Sequence, residues 1–231
     1  APSEPIAKPR TKPEGANWAK KPITVITTRY QYDGQGIVEP AYRHVFVIPT
    51  DGGSARQLTK GNFNHYGSLA WSSDSDRIFF SAYRSDDWEL VSDEADIYSV
   101  ELMTQEMKQI TNQSGAERSP VISPNGQLIA FSKEERRPLA YTPDQIAIMG
   151  LDGKNIRILS KDLDGDASNV IWSNDSKSLL FTYDERAVRK IGQVSIQGKL
   201  KEVMKGLGGT TVGRPYLSGG FHASNNTIAF T

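Results

Sequence analysis

One short pattern occurs four times in this chain: WSSDSDRIFFS at 71–81, ISPNGQLIAFS at 122–132, WSNDSKSLLFT at 172–182 and FHASNNTIAFT at 221–231. The phenylalanines that close the four copies are 51, 50 and 49 residues apart. In each copy, turn residues such as Asp, Asn, Ser and Gly separate two apolar segments, which is typical of a β-hairpin. A repeat of this length predicts an architecture of repeated structural units.

A second pattern, two apolar segments around a short turn, alternates with the first at 44–59, 96–111, 145–159 and 193–204. Each period therefore contains four antiparallel strands, which is the composition of one propeller blade. The predicted fold class is all-β, a β-propeller of four-stranded antiparallel blades in an incomplete ring. We expect three whole blades at about 68–111, 118–160 and 168–205, three strands of a first blade at about 23–59 and two strands of a last blade at about 214–231, which makes seventeen strands.

Large apolar side chains recur at fixed positions of the repeat and are predicted to form the blade cores. They are Trp71, Phe80, Phe131, Trp172, Phe181 and Phe230. We expect Trp71 and Trp172 to be buried at equivalent positions, with Ile122 in their place in the intervening blade.

Residues 1–22 differ in composition from the rest of the chain, with prolines at 2, 5, 9, 13 and 22, several lysines and little apolar content. We interpret 1–22 as an extended leader and 23–231 as the partial propeller domain. The opening APSE is compatible with the start of a mature exported protein, which favours a periplasmic or secreted location. Cysteine is absent, which is compatible with the periplasm and the cytosol alike.

The composition argues against several classes of function. The 27 basic and 27 acidic residues balance, whereas a nucleic-acid partner normally requires a basic excess. No apolar stretch approaches the roughly 20 residues of a membrane span. No His/Cys cluster has metal-ligand spacing, no glycine loop matches a phosphate site, and segment 52–56 lacks the last glycine of a Gly-x-Ser-x-Gly nucleophile elbow. We therefore expect no catalytic residue, metal or cofactor in this chain.

The strand order directs attention to one face of the propeller. Turns between the first and second strands, and between the third and fourth, are short. The long loops lie at the opposite ends of the strands, at about 29–42, 60–67, 83–95, 112–117, 133–143, 161–167, 183–191 and 206–213. Loops often carry binding sites because the scaffold does not need their side chains. We call this surface the long-loop face.

Two long loops carry candidate residues for binding a substrate or partner. Arg84 and Trp88 combine a cation with an aromatic anchor. The run Glu134, Glu135 and Arg136 contains paired carboxylates that suit an ammonium group. A solvated loop is the alternative interpretation of both. The segment DLDGD at 162–166 suggests calcium, but its order differs from the Asp-x-Asp-x-Asp-Gly loop, which favours a polar crossing turn.

The repeated Trp-Ser-x-Asp/Asn-x-x-x-Ile-x-Phe, followed by Asp-Ile-Tyr-x-Val and Gln-Leu/Ile-Thr, resembles the WD-like blades of TolB-type propellers. It also resembles the amino-terminal propeller of prolyl oligopeptidase family serine peptidases, especially bacterial acylaminoacyl peptidase and dipeptidyl peptidase relatives. The first blade favours the peptidases, because ITVITTRY at 23–30, DGQG at 33–36 and RHVFV at 43–47 are similar to the stretch with which those propellers begin. The resemblance spans about 22–231 and departs from the pattern at Ile122.

The resemblance implies a propeller of seven or eight blades attached to an α/β-hydrolase domain with a Ser-Asp-His triad. The propeller would gate access and dock peptide substrates, so the expected partners are the hydrolase domain of the same parent chain and peptides. The chain itself is expected to be noncatalytic. One alternative is a TolB-like interaction propeller with no peptidase activity, and another is self-association through open blade edges.

Overall fold

The computed structural model describes residues 11–17, 23–25, 27–38, 41–91, 94–136, 141–208, 219–224 and 227–231. The described residues form eighteen strands and no helix. Among them, therefore, no helix has the length and apolar character that a membrane crossing requires. The chain divides into two compact units, Ala1–Pro40 and Ala41–Thr231. The boundary between a leader at 1–22 and a propeller at 23–231 stays a prediction.

In the first unit, β1 (Gln31–Tyr32) and β2 (Gly36–Ile37) form a small antiparallel hairpin inside the segment predicted to be a loop. The strand expected to start at Ile23 does not occur in the described residues, so the prediction of three strands in the first blade is wrong there. Strand propensity reflects packing on a half-buried sheet surface. Ile23 and Val25 are exposed and have no such surface. The described residues therefore contain eighteen strands rather than the seventeen predicted, because one predicted strand does not occur among them and β1 and β2 were not predicted.

The second unit contains three four-stranded antiparallel sheets, which confirms the three predicted whole blades. The first sheet is β5 (His65–Trp71), β6 (Arg77–Ala82), β7 (Asp96–Glu101) and β8 (Met107–Gln109). The second is β9 (Ala116–Ile122), β10 (Leu128–Glu134), β11 (Gln145–Gly150) and β12 (Arg157–Ile158). The third is β13 (Ser168–Trp172), β14 (Ser178–Glu185), β15 (Val188–Ser195) and β16 (Leu200–Lys205). Within each sheet, neighbours in sequence are neighbours in space.

Two-stranded sheets represent the partial blades. They are β3 (Phe46–Val47) with β4 (Arg56–Gln57), and β17 (Phe221–Ser224) with β18 (Thr227–Phe230). In strand order, β3 and β4 correspond to the third and fourth strands of a blade, whereas β17 and β18 correspond to the first and second.

The hairpin turns of the repeat are closed by a serine in each whole blade. The backbone N–H groups of Arg77, Leu128 and Ser178 donate to the hydroxyls of Ser72, Ser123 and Ser173 at 3.0, 2.9 and 3.0 Å. The turn residues Ser75, Gly126 and Ser176 have φ values of 61°, 70° and 59°. The Asp-Ser turns thus adopt the left-handed conformation that Asn-Gly adopts more readily.

The core lies between successive sheets. Phe80 packs with Val45 and Leu58 of the preceding blade. Phe131 packs with Phe79 and Ile97 of its preceding blade. Phe181 packs with Ile146, Ile148 and Leu159 of the sheet before it. Phe80, Phe131 and Phe181 are fully buried, so the closing phenylalanine of each whole blade joins that blade to its predecessor.

Two residues predicted for the core are exposed instead, Trp71 at 50% and Phe230 at 52%. Trp172, which is equivalent to Trp71, is only 6% exposed, and its indole Nε1–H donates to the carbonyl of Val121 in the preceding sheet at 3.0 Å. The blade before Trp71 has only β3 and β4 among the described residues, so no equivalent first strand covers the indole. Phe230 lies on a two-stranded sheet, and no third strand lies beside β18 in the described structure.

The loop predicted at 183–191 is a continuous hairpin. β14 and β15 pair along their whole length, and only Arg186 and Ala187 lie between them, with φ values of 50° and 60°. Positive φ at both positions is the type I′ geometry, for which neither residue is well suited. Asp184 accepts two hydrogen bonds from Arg189 across the hairpin, at 2.9 and 3.0 Å. The prediction failed because the turn lacks the Asn-Gly signal.

Candidate functional site

A repeated backbone hydrogen bond joins successive blades on the long-loop face. In each case the donor lies at the start of one blade, and the acceptor precedes the third strand of the blade before it. We call the regions around these bonds junctions 1, 2 and 3. The bond runs from His65 N–H to Arg43 O at 2.9 Å in junction 1, from Glu117 N–H to Ala95 O at 2.7 Å in junction 2, and from Ala167 N–H to Asp144 O at 3.0 Å in junction 3. The three donors are equivalent in the repeat, but their side chains differ completely.

A buried hydroxyl lies beside each junction. Thr59, Thr111 and Ser160 accept the backbone N–H groups of Val45, Ile97 and Ile146, at 3.0, 2.9 and 2.8 Å. All three hydroxyl residues are buried, at the end of the fourth strand of their blades. The same two backbone bonds therefore stabilise the polypeptide at all three junctions.

At junction 1, the buried imidazole of His65 bridges a carbonyl and a guanidinium. Its Nδ1 lies 2.8 Å from Arg43 O, and its Nε2 lies 2.7 Å from Nη1 of Arg84. A carbonyl can only accept and a guanidinium can only donate, so the ring carries its proton on Nδ1 and is neutral. Burial lowers the pKa of His65 to about 4, and the charge of Arg84 contributes to the shift, against an opposing effect of the hydrogen bond to Arg43.

The predicted binding residue Arg84 is therefore engaged within the protein. Besides His65, its guanidinium donates to Lys60 O at 3.0 Å and lies 4.5 Å from the ring centroid of Phe63. A guanidinium over an aromatic face is a favourable cation–π contact. Arg84, which follows β6, thus contacts the loop that precedes β5.

Trp88, the aromatic residue predicted beside Arg84, lies in a short turn and is partly exposed. Its ring packs edge-on against Tyr42, with centroids 5.8 Å apart. Its N–H donates to Ser85 O at 3.1 Å, and the hydroxyl of Tyr83 donates to Asp87 at 3.0 Å. The structure places Trp88 on the long-loop face, packed against Tyr42.

Junction 2 contains a buried ion pair. Glu117 is fully buried, Lys133 is nearly so, and the Lys133 ammonium binds Oε1 of Glu117. Oε2 of Glu117 has no hydrogen-bond partner among the described residues. Burial raises the pKa of Glu117, an effect that the hydrogen bond and charge of Lys133 oppose.

A second buried carboxyl, Asp96, belongs to the same junction and is 9% exposed. It accepts hydrogen bonds from Nε2 of Gln109 at 3.0 Å and from the hydroxyl of Thr111 at 3.3 Å. Burial raises the pKa of Asp96 to about 7, and the neighbouring carboxylate of Glu117 adds to the shift. Junction 2 therefore contains two buried carboxyl groups and one buried ammonium.

The predicted run Glu134, Glu135 and Arg136 lies at the rim of junction 2. Glu134 accepts a hydrogen bond from Arg118 at 3.0 Å, and Arg136 donates to Oε1 of Glu94 at 3.0 Å. Glu135 follows β10 directly and is partly exposed. The structure thus brings these three residues together on one face, but Glu134 and Arg136 bind different partners.

Glu94 connects the rim to the junction backbone, because its Oε2 accepts the N–H of Gly115 at 3.0 Å. Gly115 has a φ of 100°, and a Cβ there would lie 2.1 Å from the carbonyl oxygen of Glu134. Only glycine fits at this crossing.

The residues at the centre of junctions 1 and 2 were missed from sequence. They are His65, Asp96, Glu117 and Lys133. Only Asp96 lies within a predicted strand, where burial of an ionisable side chain is costly unless a partner compensates. His65, Glu117 and Lys133 fall in predicted loops, which gave no such signal. Within the described ranges, no group of three His, Cys, Asp or Glu residues could hold a metal ion. At the third crossing, Asp166 accepts from the hydroxyl of Tyr141 and the N–H of Asp144, both at 2.9 Å.

A surface cleft of about 490 Å³ opens beside Lys133. Its lining residues are Gln113, Lys133, Ile156, Arg157, Ile158, Leu159, Lys161 and Gln197. Three of these are cationic and none is acidic, so the cleft favours an anionic group. Two of these cations already have partners, because Lys133 is paired with Glu117 and Nη1 of Arg157 donates to the carbonyl of Ile196 at 2.9 Å.

The sequential four-stranded sheets, joined blade to blade, define an all-β propeller. Residues 18–137 match the model of the dipeptidyl peptidase IV (DPP IV) N-terminal region, and the chain belongs to that family. This confirms the resemblance to the amino-terminal propellers of prolyl oligopeptidase family peptidases. No curated protein gives a significant match to the chain.

Solved structures with the same fold include TolB proteins and peptidases. A putative TolB from Agrobacterium tumefaciens has a TM-score of 0.56 at 18% identity, with 70% of this chain and 56% of that chain covered. A Mycobacterium tuberculosis puromycin-hydrolyzing peptidase has a TM-score of 0.54 at 14% identity, with 69% of this chain and 27% of the peptidase covered. A prolyl endopeptidase has a TM-score of 0.51 at 17% identity, with 81% of this chain and 26% of the endopeptidase covered. At these identities the structural likeness shows a shared fold alone. The chain spans little more than half of the TolB protein and about a quarter of each peptidase.

Proposed function

We propose that this chain is the noncatalytic propeller portion of an exported serine peptidase, which gates and docks peptide substrates for an α/β-hydrolase domain of the same parent chain. The observation that carries the proposal is the match of residues 18–137 to the DPP IV N-terminal region. The all-β composition of the described residues supports a separate catalytic domain, because an α/β-hydrolase requires helices. Periplasmic or secreted location is part of the proposal.

The long-loop face is the proposed docking surface. It combines partly exposed Trp88 with the charged rim of junction 2, where Glu135 and Arg136 reach solvent. Peptides have an ammonium and a carboxylate at their ends, and a mixed rim offers a partner for each. Glu134 and Arg136 already bind Arg118 and Glu94, so a peptide end would join existing ion pairs at this rim.

The first test compares the 231-residue chain with the full product of its native gene. We expect the full product to hydrolyse acyl-aminoacyl or dipeptidyl chromogenic substrates and to react with a fluorophosphonate serine probe, whereas the chain does neither. Activity of the rigorously purified chain would contradict the noncatalytic assignment. A full product that does not react with the probe would contradict the peptidase assignment.

The docking role has its own test in the full product. Glu135→Gln should raise KM for short peptides while kcat changes little, because the side chain binds substrate without touching the reacting atoms. Glu106→Gln is the matched control, since Glu106 is exposed at the turn between β7 and β8, on the opposite face. Equal effects of both substitutions on KM would exclude a docking role for Glu135.

A TolB-like interaction propeller is the second candidate. It is favoured by the structural likeness to TolB, which is as close as the likeness to the peptidases. A native gene product with a mass near 25.5 kDa would support it. Sedimentation of that product would then distinguish a monomer from self-association through open blade edges.

A further inference from the structure

Junctions 1 and 2 carry ionisable groups of opposite type at equivalent positions. The donor residue is His65 in junction 1 and Glu117 in junction 2, whereas junction 3 has Ala167 there. We propose that the two ionisable junctions respond to pH in opposite directions, so that junction 1 loosens when His65 gains a proton and junction 2 loosens when the pair Asp96 and Glu117 loses one. Junction 3 has the same backbone bond with Ala167 as the donor residue, but the carboxyl groups of Asp144 and Asp166 lie beside it. It therefore serves as an internal reference for the alkaline change.

Protonation of His65 would break its contact with Arg84. The neutral ring accepts at Nε2, so a proton there would set two donors against each other at a separation of 2.7 Å. The other groups around the ring offer no compensation. His44 lies 5.2 Å away between ring centroids, Phe80 of β6 presents its ring at 5.4 Å, and Tyr98 of β7 stacks on Phe80.

None of the described contacts of His65 is a carboxylate, so an added positive charge would remain uncompensated. The lowered pKa of His65, about 4, agrees with this geometry, because burial and Arg84 both disfavour the charged ring. We therefore expect junction 1 to hold above this pH and to weaken below it.

Junction 2 has the opposite charge balance. The charged and titratable groups around it are Asp96 and Tyr98 on β7, Glu117 and Arg118 on β9, Lys133 and Glu134 on β10, and Glu94, Glu135 and Arg136 in the flanking loops. Lys133 compensates Glu117, and Arg136 compensates Glu94. Asp96 has neutral partners only, Gln109 and Thr111.

The uncompensated carboxyl of Asp96 is therefore the group that retains a proton. Its raised pKa of about 7 agrees with this position beside Glu117. Loss of the proton would leave two buried negative charges and one ammonium. Asp96 and Glu117 each directly follow a residue of the bridge Ala95 to Ala116, so their repulsion acts across the bonds that join the blades.

Hydrogen exchange of single amides tests the proposal on the intact chain. The amides of His65, Glu117 and Ala167 donate the three junction bonds, so each reports on one junction. After correction for intrinsic exchange rates, protection of the Glu117 amide should fall at least tenfold between about pH 6 and pH 8.5. Protection of the His65 amide should fall by a similar factor below about pH 4.5. Protection of the Ala167 amide should stay constant between about pH 6 and pH 8.5.

Substitutions separate the two junctions. Asp96→Asn should abolish the alkaline change at Glu117 and leave the acidic change at His65, because Asn keeps the hydrogen-bonding shape without a titrating proton. His65→Gln should do the reverse. The same pH dependence at Glu117 and Ala167, or an alkaline change that persists in Asp96→Asn, would overturn the proposal.

A direct titration keeps the proposal testable if a variant fails to fold. The carboxyl carbon of Asp96 in isotopically labelled wild-type chain should titrate near pH 7 by NMR. Titration at the ordinary pH of an exposed aspartate would refute the proposed proton at junction 2.

Discussion

Truncation of Trp172 tests how successive blades are held together. The indole is 6% exposed and packs in the core between the second and third four-stranded sheets. Trp172→Ala removes an aromatic side chain from this core, which typically costs about 3–5 kcal/mol of unfolding free energy. It also leaves Val121 O without the indole donor now 3.0 Å away, which places the expected cost near the upper part of that range.

Trp71→Ala is the matched control, because Trp71 has the same position in the repeat but is 50% exposed. A buried aromatic side chain covers roughly 200 Å². Half of that area at about 25 cal/mol per Å² is about 2.5 kcal/mol, and the alanine recovers part of it. We therefore expect a cost of about 1–2 kcal/mol for Trp71→Ala.

Urea unfolding followed by far-ultraviolet circular dichroism measures both costs by linear extrapolation. The slope against urea concentration should be unchanged in both variants, because neither should alter the surface exposed on unfolding. Acrylamide should quench a smaller share of the fluorescence after Trp71→Phe than after Trp172→Phe. An equal or larger cost for Trp71→Ala would refute the reasoning, because it would require a covering strand over Trp71.

Three further predictions concern local geometry and charge. Gly192→Ala should cost about 1–3 kcal/mol in the same unfolding assay, because the new Cβ would lie 2.6 Å from Cζ of Phe181; no loss of stability would contradict that contact. Replacing Arg186 and Ala187 by Asn-Gly should stabilise the chain by about 1 kcal/mol, because both positions have positive φ. A loss of stability would argue against the tight turn. The difference in unfolding free energy between wild type and His65→Gln should grow in favour of wild type as pH rises from about 4 to 6.5. In this range the unfolded chain binds the His65 proton more tightly than the folded chain does. A difference that does not change with pH would exclude a lowered His65 pKa.

The arrangement of strands within the whole blades could be predicted because it depends on local and repeated signals. Apolar alternation and short polar turns occur in each copy, and Ser72, Ser123 and Ser173 recur where the turns close. The failures are at positions that depend on non-local packing. The segment from Ile23 has strand propensity but no described sheet surface, and the turn at Arg186 has tight-turn geometry without tight-turn residues.

The environment of the candidate residues was harder to predict than their location. Arg84 and Arg136 lie on the predicted face, but the sequence does not show that His65 and Glu94 are their partners, 19 and 42 residues away. The burial of a side chain likewise depends on the neighbouring blade. Trp71 and Trp172 have the same local sequence pattern and differ because only Trp172 has a preceding four-stranded sheet to cover it.

The junctions explain how a repeat can keep its architecture while its side-chain chemistry varies. The bond that joins two blades runs from a backbone N–H to a backbone carbonyl, so any residue except proline can supply it. The side chain at that position is then constrained only by its neighbours in the junction. An ionisable residue there must be compensated or hold a neutral form, because burial penalises an unpaired charge. Glu117 meets this requirement by pairing with Lys133, whereas His65 meets it by staying neutral between Arg43 and Arg84. Sensitivity to pH can therefore be added to one junction without altering the strands on either side of it.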